Sequence, residues 1–384
     1  MQSYLPRRVE TEVVHALKRI PVVAIIGPRQ CGKSTMAKKL ISEYYPRAEY
    51  LDLEKYSDLN KLHDPELYFG RNSDKMICID GIQQRPDLFS AMRSHVDEAG
   101  GNGQFLILGS ASPSLLRQSS ESLAGRIHYI ELTPFLITEV SNDDLWLNGG
   151  YPRSLLSEDT DESFQWRQDF ILTFLERDIP QLGINLPSGT LRRFWTMCAH
   201  STGQVLNKSK LGQALGVSHT TIQRYLDILE STFMVRLLQP YYANIKKRIV
   251  KSPKLYFRDS GILHGILNIS SFNDLLGHPI FGFSWECYAL ENILSSLHDW
   301  KAFFFRTSSG AEIDVILQRG SSIHAIEFKS TKAPRFGRYL MPLIEEIGID
   351  RTWIVAPVEE AYPLTREITV IGISEVIDEL AAKN

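Results

Sequence analysis

Residues 27–34 read Gly-Pro-Arg-Gln-Cys-Gly-Lys-Ser, an unbroken GxxxxGK[ST] run, and no other segment restricts the fold of this chain as tightly. Glycines at those two places let the backbone curl until several N–H groups face one anion, with the positive end of a following helix behind them. The flanks supply what such a loop needs. Val22 to Ile26 is a short β-branched apolar run that stops at Gly27, and residues 34–45 (STMAKKLISEYY) return to helical spacing. Strand, glycine loop and helix in that order predict a phosphate-binding loop made of Gly27, Pro28, Arg29, Gln30, Cys31, Gly32, Lys33, Ser34 and Thr35. Lys33 is expected to reach the β- and γ-phosphates of a nucleotide, and the Ser34 hydroxyl to ligate Mg2+. An ordinary glycine turn would leave Lys33 and Ser34 together unexplained.

Further apolar strands are expected at residues 49–53, 76–80 and 105–109, with helical stretches between them. Continuous apolar strands alternating with helices indicate a parallel sheet covered on both faces. Nucleotides bind at the C-terminal edge of such sheets. The run Met76-Ile77-Cys78-Ile79-Asp80 ends in an acid at that edge, so Asp80 is the candidate second magnesium ligand, the Walker-B residue. A strand-terminating aspartate in a turn is the plainer alternative.

A chain of 384 residues exceeds one ordinary core, so two or three domains are expected. The net charge of −3 supplies no global attraction to nucleic acid or membranes, and any basic patch must be local. Cys31, Cys78, Cys198 and Cys287 lie far apart, which argues against a zinc knuckle or a disulfide framework. No run approaches the roughly 18 apolar residues that span a bilayer, and the amino terminus has no apolar signal core. The expectation is a soluble, cytoplasmic protein without membrane partners.

With these motifs in view, residues 1 to about 135 resemble AAA-type P-loop ATPases of the ORC/STAND-like side, in a prokaryotic family whose C-terminal domain is of unknown function. GPRQCGKST (27–35), ILGSAS (107–112), and SLAGR (122–126) before IELTPF (130–135) carry the likeness. The resemblance implies ATP as the nucleotide, Ser110 in the sensor position and Arg126 as an arginine contact to the γ-phosphate. Ser110 as a turn hydroxyl and Arg126 as a solvent-facing or salt-bridged arginine fit equally. AAA relatives often form rings, whereas STAND-like proteins can stay monomeric until activated, so a homo-oligomer is one expectation. One position departs from the pattern. The glutamate that normally follows the Walker-B aspartate and polarises the attacking water is replaced by Gly81. Gln83 or Glu54 could substitute, and tight ATP binding with slow or absent hydrolysis stays open.

Beyond Pro134 the rhythm changes to a charged helical stretch, 155–182, within a helical lid placed at 136–190. Residues 207–230 have a helix-turn-helix arrangement, with Gly216 at the turn and Ser218 as a helix cap. This segment reads as an α winged-helix domain, 191–275. DNA is its expected partner, through Gln223 and Arg224 on the second helix and the basic stretch Lys246, Lys247, Arg248 and Lys251. Winged helices also serve as spacers or protein docking elements. From 276 to 384 the chain resembles an α/β restriction-endonuclease-like domain of the PD-(D/E)xK type. Glu286 lies on a helix, Asp314 on a strand, and Glu327 and Lys329 two residues apart on the next strand, hence on one face. In an active nuclease Asp314 and Glu327 would share a divalent metal beside Lys329; in a vestigial one the same residues would be satisfied without chemistry. Gly149-Gly150-Tyr151-Pro152 and Glu176-Arg177-Asp178 match stretches typical of the family without an evident chemical role.

The fold expected is therefore a P-loop NTPase parallel sheet (1–135) with a helical lid, then the winged helix and the endonuclease-like domain. The function expected is an Mg-dependent ATPase acting on, or regulated by, nucleic acid. A nucleotide-dependent regulator or scaffold with little turnover, and an ATP-gated metal-dependent nuclease, are the competing readings.

Overall fold

The four expected apolar runs, joined by a fifth, form one parallel sheet in the computed structural model, which describes residues 4–110, 123–181, 186–242, 249–337 and 339–382. Its strands are β1 (Val22–Ile26), β2 (Glu49–Asp52), β3 (Ile77–Asp80), β4 (Phe105–Gly109) and β5 (Ile127–Glu131), in the order β2-β3-β4-β1-β5. Side chains alternate across this sheet, so each run feeds two cores. Val22, Ala24, Ile26, Ile77, Ile79 and Ile107 pack on one side with Leu88, Phe89 and Met92 of the helix Leu88–Ala99. Val23, Ile25, Cys78, Leu106 and Leu108 pack on the other with Met36, Ala37 and Leu40 of the helix Lys33–Tyr44. Burial on both faces is why these strands read as continuous apolar runs. β5 is an edge strand, and its mixed sequence IHYIE hides it from a hydrophobicity reading.

The chain divides into two compact units. The first ends at Phe135 and takes in Ser231–Phe233; the second runs from Leu136 to Glu230 and from Met234 onward. The segments read separately as lid, winged helix and endonuclease-like domain thus share the second unit. Within it, β6 (Gln204–Val205) precedes the helices Lys208–Leu215 and His219–Ser231, and β7 (Val235–Leu238) and β8 (Lys254–Phe257) follow them, the three strands forming an antiparallel sheet in the order β6-β8-β7. A six-stranded sheet, β13-β14-β12-β11-β10-β9, is built from β9 (Lys301–Arg306), β10 (Glu312–Arg319), β11 (Ser322–Phe328), β12 (Arg351–Val355), β13 (Tyr362–Pro363) and β14 (Ile368–Ile371). Here β9, β10 and β11 pair antiparallel, while β11, β12 and β14 pair parallel.

The helix Phe281–Ser296 is buried from Ser284 through Ser296, so its polar residues need internal partners. Glu291 finds them in Arg236 and Arg258, the second at 3.1 Å. Burial works against the charged form, yet the two guanidiniums hold Glu291 below the usual carboxylate range.

Two segments of the lid differ from the sequence reading. The single stretch 155–182 is interrupted: Thr160–Thr173 is α-helical, and Phe174–Asp178 widens into a π turn closed by Ile179 N–H to Phe174 O. Pro180 follows at once, and a proline, with no N–H to donate, disfavours an uninterrupted ladder there. Glu176, Arg177 and Asp178 belong to this turn. The Gly149-Gly150 pair has a packing role. Gly150 N–H donates to Asp259 Oδ2 at 2.8 Å, and a Cβ on Gly149 would stand 2.2 Å from Asp259 Oδ1.

Candidate functional site

The phosphate loop leaves β1 at Gly27 and enters the helix Lys33–Tyr44 at Gly32. Both glycines are required by geometry. A Cβ on Gly27 would lie 2.1 Å from the Leu132 carbonyl oxygen, and Gly32 has φ +105° in the left-handed region. Gln30 also has positive φ, +61°, which completes the curl of the loop. Lys33 is buried, and its Nζ donates to Gly27 O at 3.0 Å and Pro28 O at 2.6 Å, across the mouth of the loop. Arg29 pairs with Glu54 at 3.1 Å. The Cys31 Sγ donates to Leu132 O at 3.3 Å, while Thr35 is exposed in the first helical turn.

A residue the sequence reading missed supports this loop from behind. Arg7 is buried, and its guanidinium donates to Cys31 O at 2.9 Å and Thr133 O at 2.7 Å, while lying 4.4 Å from the Phe135 ring centre. Nothing in its local sequence marks it, since both partners are backbone carbonyls distant in the chain.

Asp80 ends β3, and β4 separates β3 from β1. Across that strand the Ser34 hydroxyl donates to Asp80 Oδ2 at 2.5 Å, and the Tyr50 hydroxyl, from β2, donates to the same oxygen at 2.6 Å. Burial, and then the hydrogen bond to Asp80, raise the Tyr50 pKa and keep it a donor. A hydroxyl and a carboxylate converging in this way are hard oxygen donors of the kind that Mg2+ takes. Beside them Gly81 adopts φ +83° and starts a short turn, Ile82–Gln84. The Gln83 Oε1 accepts from Ser110 N–H at 3.4 Å, so Gln83 and Ser110 meet at the ends of β3 and β4. Glu54 is committed to Arg29.

Arg126 is placed elsewhere, and the expectation of a phosphate contact within its own chain is corrected. It precedes β5, and its carbonyl accepts from Val22 N–H at the start of β1. In a parallel sheet this is the edge opposite the phosphate loop. Its guanidinium pairs with Asp97 at 2.6 Å.

In the second unit Gly216 takes φ +68° between the helices Lys208–Leu215 and His219–Ser231, and Ser218 Oγ accepts from Thr221 N–H at 3.1 Å as a cap. Ile222, Leu226 and Leu229 are buried, and His219, Thr220 and Arg224 are exposed. Gln223 is engaged by Lys208 and by Asp227, whose carboxylate accepts at 2.6 Å. Lys251 is exposed, and Lys246, Lys247 and Arg248 lie outside the described residues.

The four residues expected of an endonuclease-like site, Glu286, Asp314, Glu327 and Lys329, lie in one polar cluster. Pairing between β9 and β10 shifts between Ile313 and Ile316, and this irregularity presents Asp314, whose Oδ2 accepts from Phe328 N–H at 3.0 Å. Lys329 Nζ donates to Glu327 Oε2 at 3.2 Å. Two residues missed by the sequence reading join them from β8: Lys254, and Tyr256, whose hydroxyl donates to Glu286 at 2.5 Å. Lys254 Nζ lies 3.4 Å from Glu286, 3.4 Å from Asp314 and 2.5 Å from Glu312. Burial and then the Asp314 charge push Glu286 up to about 7 and Glu327 up to about 8. Burial opposes the charge on Lys254, but Glu286, Asp314 and Glu312 drive its pKa well above the ordinary value. Among the described residues, no group of three or more His, Cys, Asp or Glu side chains is placed to hold a metal ion.

No helix of the described residues is long and apolar enough to cross a membrane. Comparison with known proteins accords with the nucleotide site. Residues 19–141 match a family model described as an AAA domain. Residues 140–273 and 281–376 match two domains of unknown function, DUF8612 and DUF4143. The uncharacterized proteins Mb2031c of Mycobacterium bovis and Rv2008c of Mycobacterium tuberculosis are each 39% identical over 375 residues, spanning 96% of this chain and 84% of their own. Among solved structures, the Walker-type ATPase PABY2304 of Pyrococcus abyssi shares the fold at TM-score 0.50 and 13% identity, over 69% of this chain and 96% of that one. The family match and the parallel sheet make the N-terminal unit a P-loop nucleotide-binding domain of the AAA ATPase type.

Proposed function

This chain belongs to the same family as its two mycobacterial relatives, and we propose that it is an Mg-dependent ATP-binding protein that hydrolyses ATP slowly and acts on, or is regulated by, nucleic acid. The observation that carries the nucleotide reading is the meeting of Ser34 Oγ and Asp80 Oδ2 at 2.5 Å beside Lys33 and the curled loop. In that frame the loop N–H groups and the helix N-terminus bind the phosphates, Lys33 balances their charge, and Ser34 and Asp80 would hold Mg2+. Tyr50 fixes the Asp80 carboxylate by donating to it. Slow turnover follows from Gly81, which offers no acceptor to the attacking water. Gln83, beside Ser110, is the side chain that takes over water positioning, with Ser110 in the sensor role.

The nucleic-acid part of the proposal rests on the helix-turn-helix and its three-stranded sheet, read as a winged helix, with Arg224 and Lys251 exposed. Phosphate release measured with and without duplex DNA tests the whole reading. A low basal rate that DNA raises is the expected result. Bound ATP with no release under either condition would favour the regulator that binds without turnover, and absence of ATP binding would sink the proposal.

A further inference from the structure

The acidic cluster of the second unit contains a positive charge that neither its sequence pattern nor the nucleotide site accounts for. Lys254 comes from β8, in the sheet beside the helix-turn-helix, and its side chain is 2% exposed. Its ammonium is shared among Glu286 of the helix Phe281–Ser296 and Glu312 and Asp314 of β10. Tyr256, two residues along the same strand and therefore on the same face, bonds Glu286 as well. A buried lysine is tolerated only when paired in this way.

We propose that the Lys254 ammonium is the resident cation of this carboxylate cluster, standing where a divalent metal would bind and excluding it. Charge counting supports the assignment. The carboxylates are Glu286, Glu312, Asp314 and Glu327, and the cations paired with them are Lys254, Lys329 and Arg306. Four negative charges against three positive leave one, which a single shared proton removes. A dication added to that set would leave excess positive charge in a buried site unless Lys254 withdrew. A second observation shows that the cluster has unused capacity for a cation. Glu327 is 3% exposed, and its Oε1 is buried without a hydrogen-bond partner, although Oε2 is held by Lys329. Glu286, Glu312, Asp314 and Glu327 form no metal-holding group as they stand around the ammonium, and withdrawing it should let these carboxylates close on a divalent cation instead.

The test uses the full chain without nucleotide and Mn2+ as the probe, followed by paramagnetic resonance of bound Mn2+ and by thermal melting. The wild-type protein is expected to show no Mn2+ binding or melting shift that Asp314→Asn removes. Lys254→Met, which keeps the stem and drops the charge, and Lys254→Ala are expected to bind one Mn2+ and to melt roughly 5 °C higher at saturation. Adding Asp314→Asn to either variant should abolish both effects, whereas Lys254→Arg should stay metal-free. Wild-type Mn2+ binding that disappears in Asp314→Asn would overturn the proposal, as would folded Lys254→Met with no bound Mn2+. If neither Lys254 variant folds alone, refolding in Mn2+ decides: rescue supports the proposal and failure to rescue counts against it. None of these readouts depends on ATP binding, so their failure is separable from that of the nucleotide reading.

Discussion

The Ser34 hydroxyl donates to Asp80 Oδ2 at 2.5 Å, joining the first turn after the phosphate loop to the end of a strand two places away in the sheet. The contact requires β4 to lie between β1 and β3 with all three ending at one edge. The side chains proposed to face nucleotide and magnesium are thus set by strand order as much as by the loop motif. Around that contact sit groups that hold it in place, Tyr50 on Asp80 and Arg7 behind the loop.

Arg7→Met should loosen the phosphate loop. The guanidinium satisfies Cys31 O and Thr133 O from a buried position, and methionine fills the space without donating. Losing two charge-assisted bonds to buried carbonyls costs on the order of 2–4 kcal/mol. A lower denaturant midpoint with an unchanged slope, and several-fold weaker ATP binding, are the expected measurements. An unaltered midpoint would mean that Arg7 only decorates the loop.

At position 81 the backbone limits what a restored glutamate can do. A Cβ there meets nothing nearer than 3.7 Å, but φ is +83°, so Gly81→Glu is expected to destabilise by about 1 kcal/mol. Turnover should nevertheless rise at least tenfold, about 1.4 kcal/mol of barrier, if the missing carboxylate is what slows hydrolysis. Gln83→Ala in the parent chain should lower the residual turnover tenfold while leaving ATP affinity alone. Equal rates in all three proteins would remove both residues from the mechanism.

The helix-turn-helix reading is checked by salt. Affinity for duplex DNA should fall steeply as salt rises, and Arg224→Ala and Lys251→Ala should each make the log–log slope shallower by about one unit. Unchanged slopes would move any DNA contact to another surface.

Much of this arrangement is legible in the sequence because single-chain periodicity encodes it. Continuous apolar runs reveal β1, β3 and β4, and the two-residue strand period puts Glu327 and Lys329 on one face. What escapes the reading are contacts between distant segments. Lys254 sits in KLYF, where nothing local separates a buried counter-ion from an edge lysine, and Tyr50 looks like any strand aromatic. Arg126 takes the salt-bridged alternative for a directional reason. The SLAGR stretch by itself shows neither that it leads a strand nor which edge of a parallel sheet that start occupies.

Buried carboxyls give the second unit a pH signature. Glu327 is pushed from an ordinary 4.5 to about 8, and Glu286 to about 7, by burial first and the Asp314 charge second. Between the unfolded and folded values the folded state holds protons that the unfolded chain releases, so stability should fall as pH rises from about 4.5 to about 8. Glu327→Gln should flatten that slope and gain on the wild type by on the order of 1–3 kcal/mol near the upper end. A Glu327→Gln curve parallel to the wild type would show that this carboxyl ionises freely in the fold.

Titration calorimetry of ATP with and without Mg2+, on the wild-type chain and on Lys33→Ala and Asp80→Asn, probes the nucleotide site itself. One ATP per wild-type chain, bound more tightly with Mg2+, is the expected result. Lys33→Ala should lose at least about a hundredfold in affinity, roughly 2.7 kcal/mol, with its melting temperature nearly unchanged. In Asp80→Asn the Mg2+ enhancement should vanish while Mg-free binding survives. ATP binding of equal affinity in Lys33→Ala, or a wild-type chain that binds no ATP, would rule out residues 27–34 as a phosphate-binding loop.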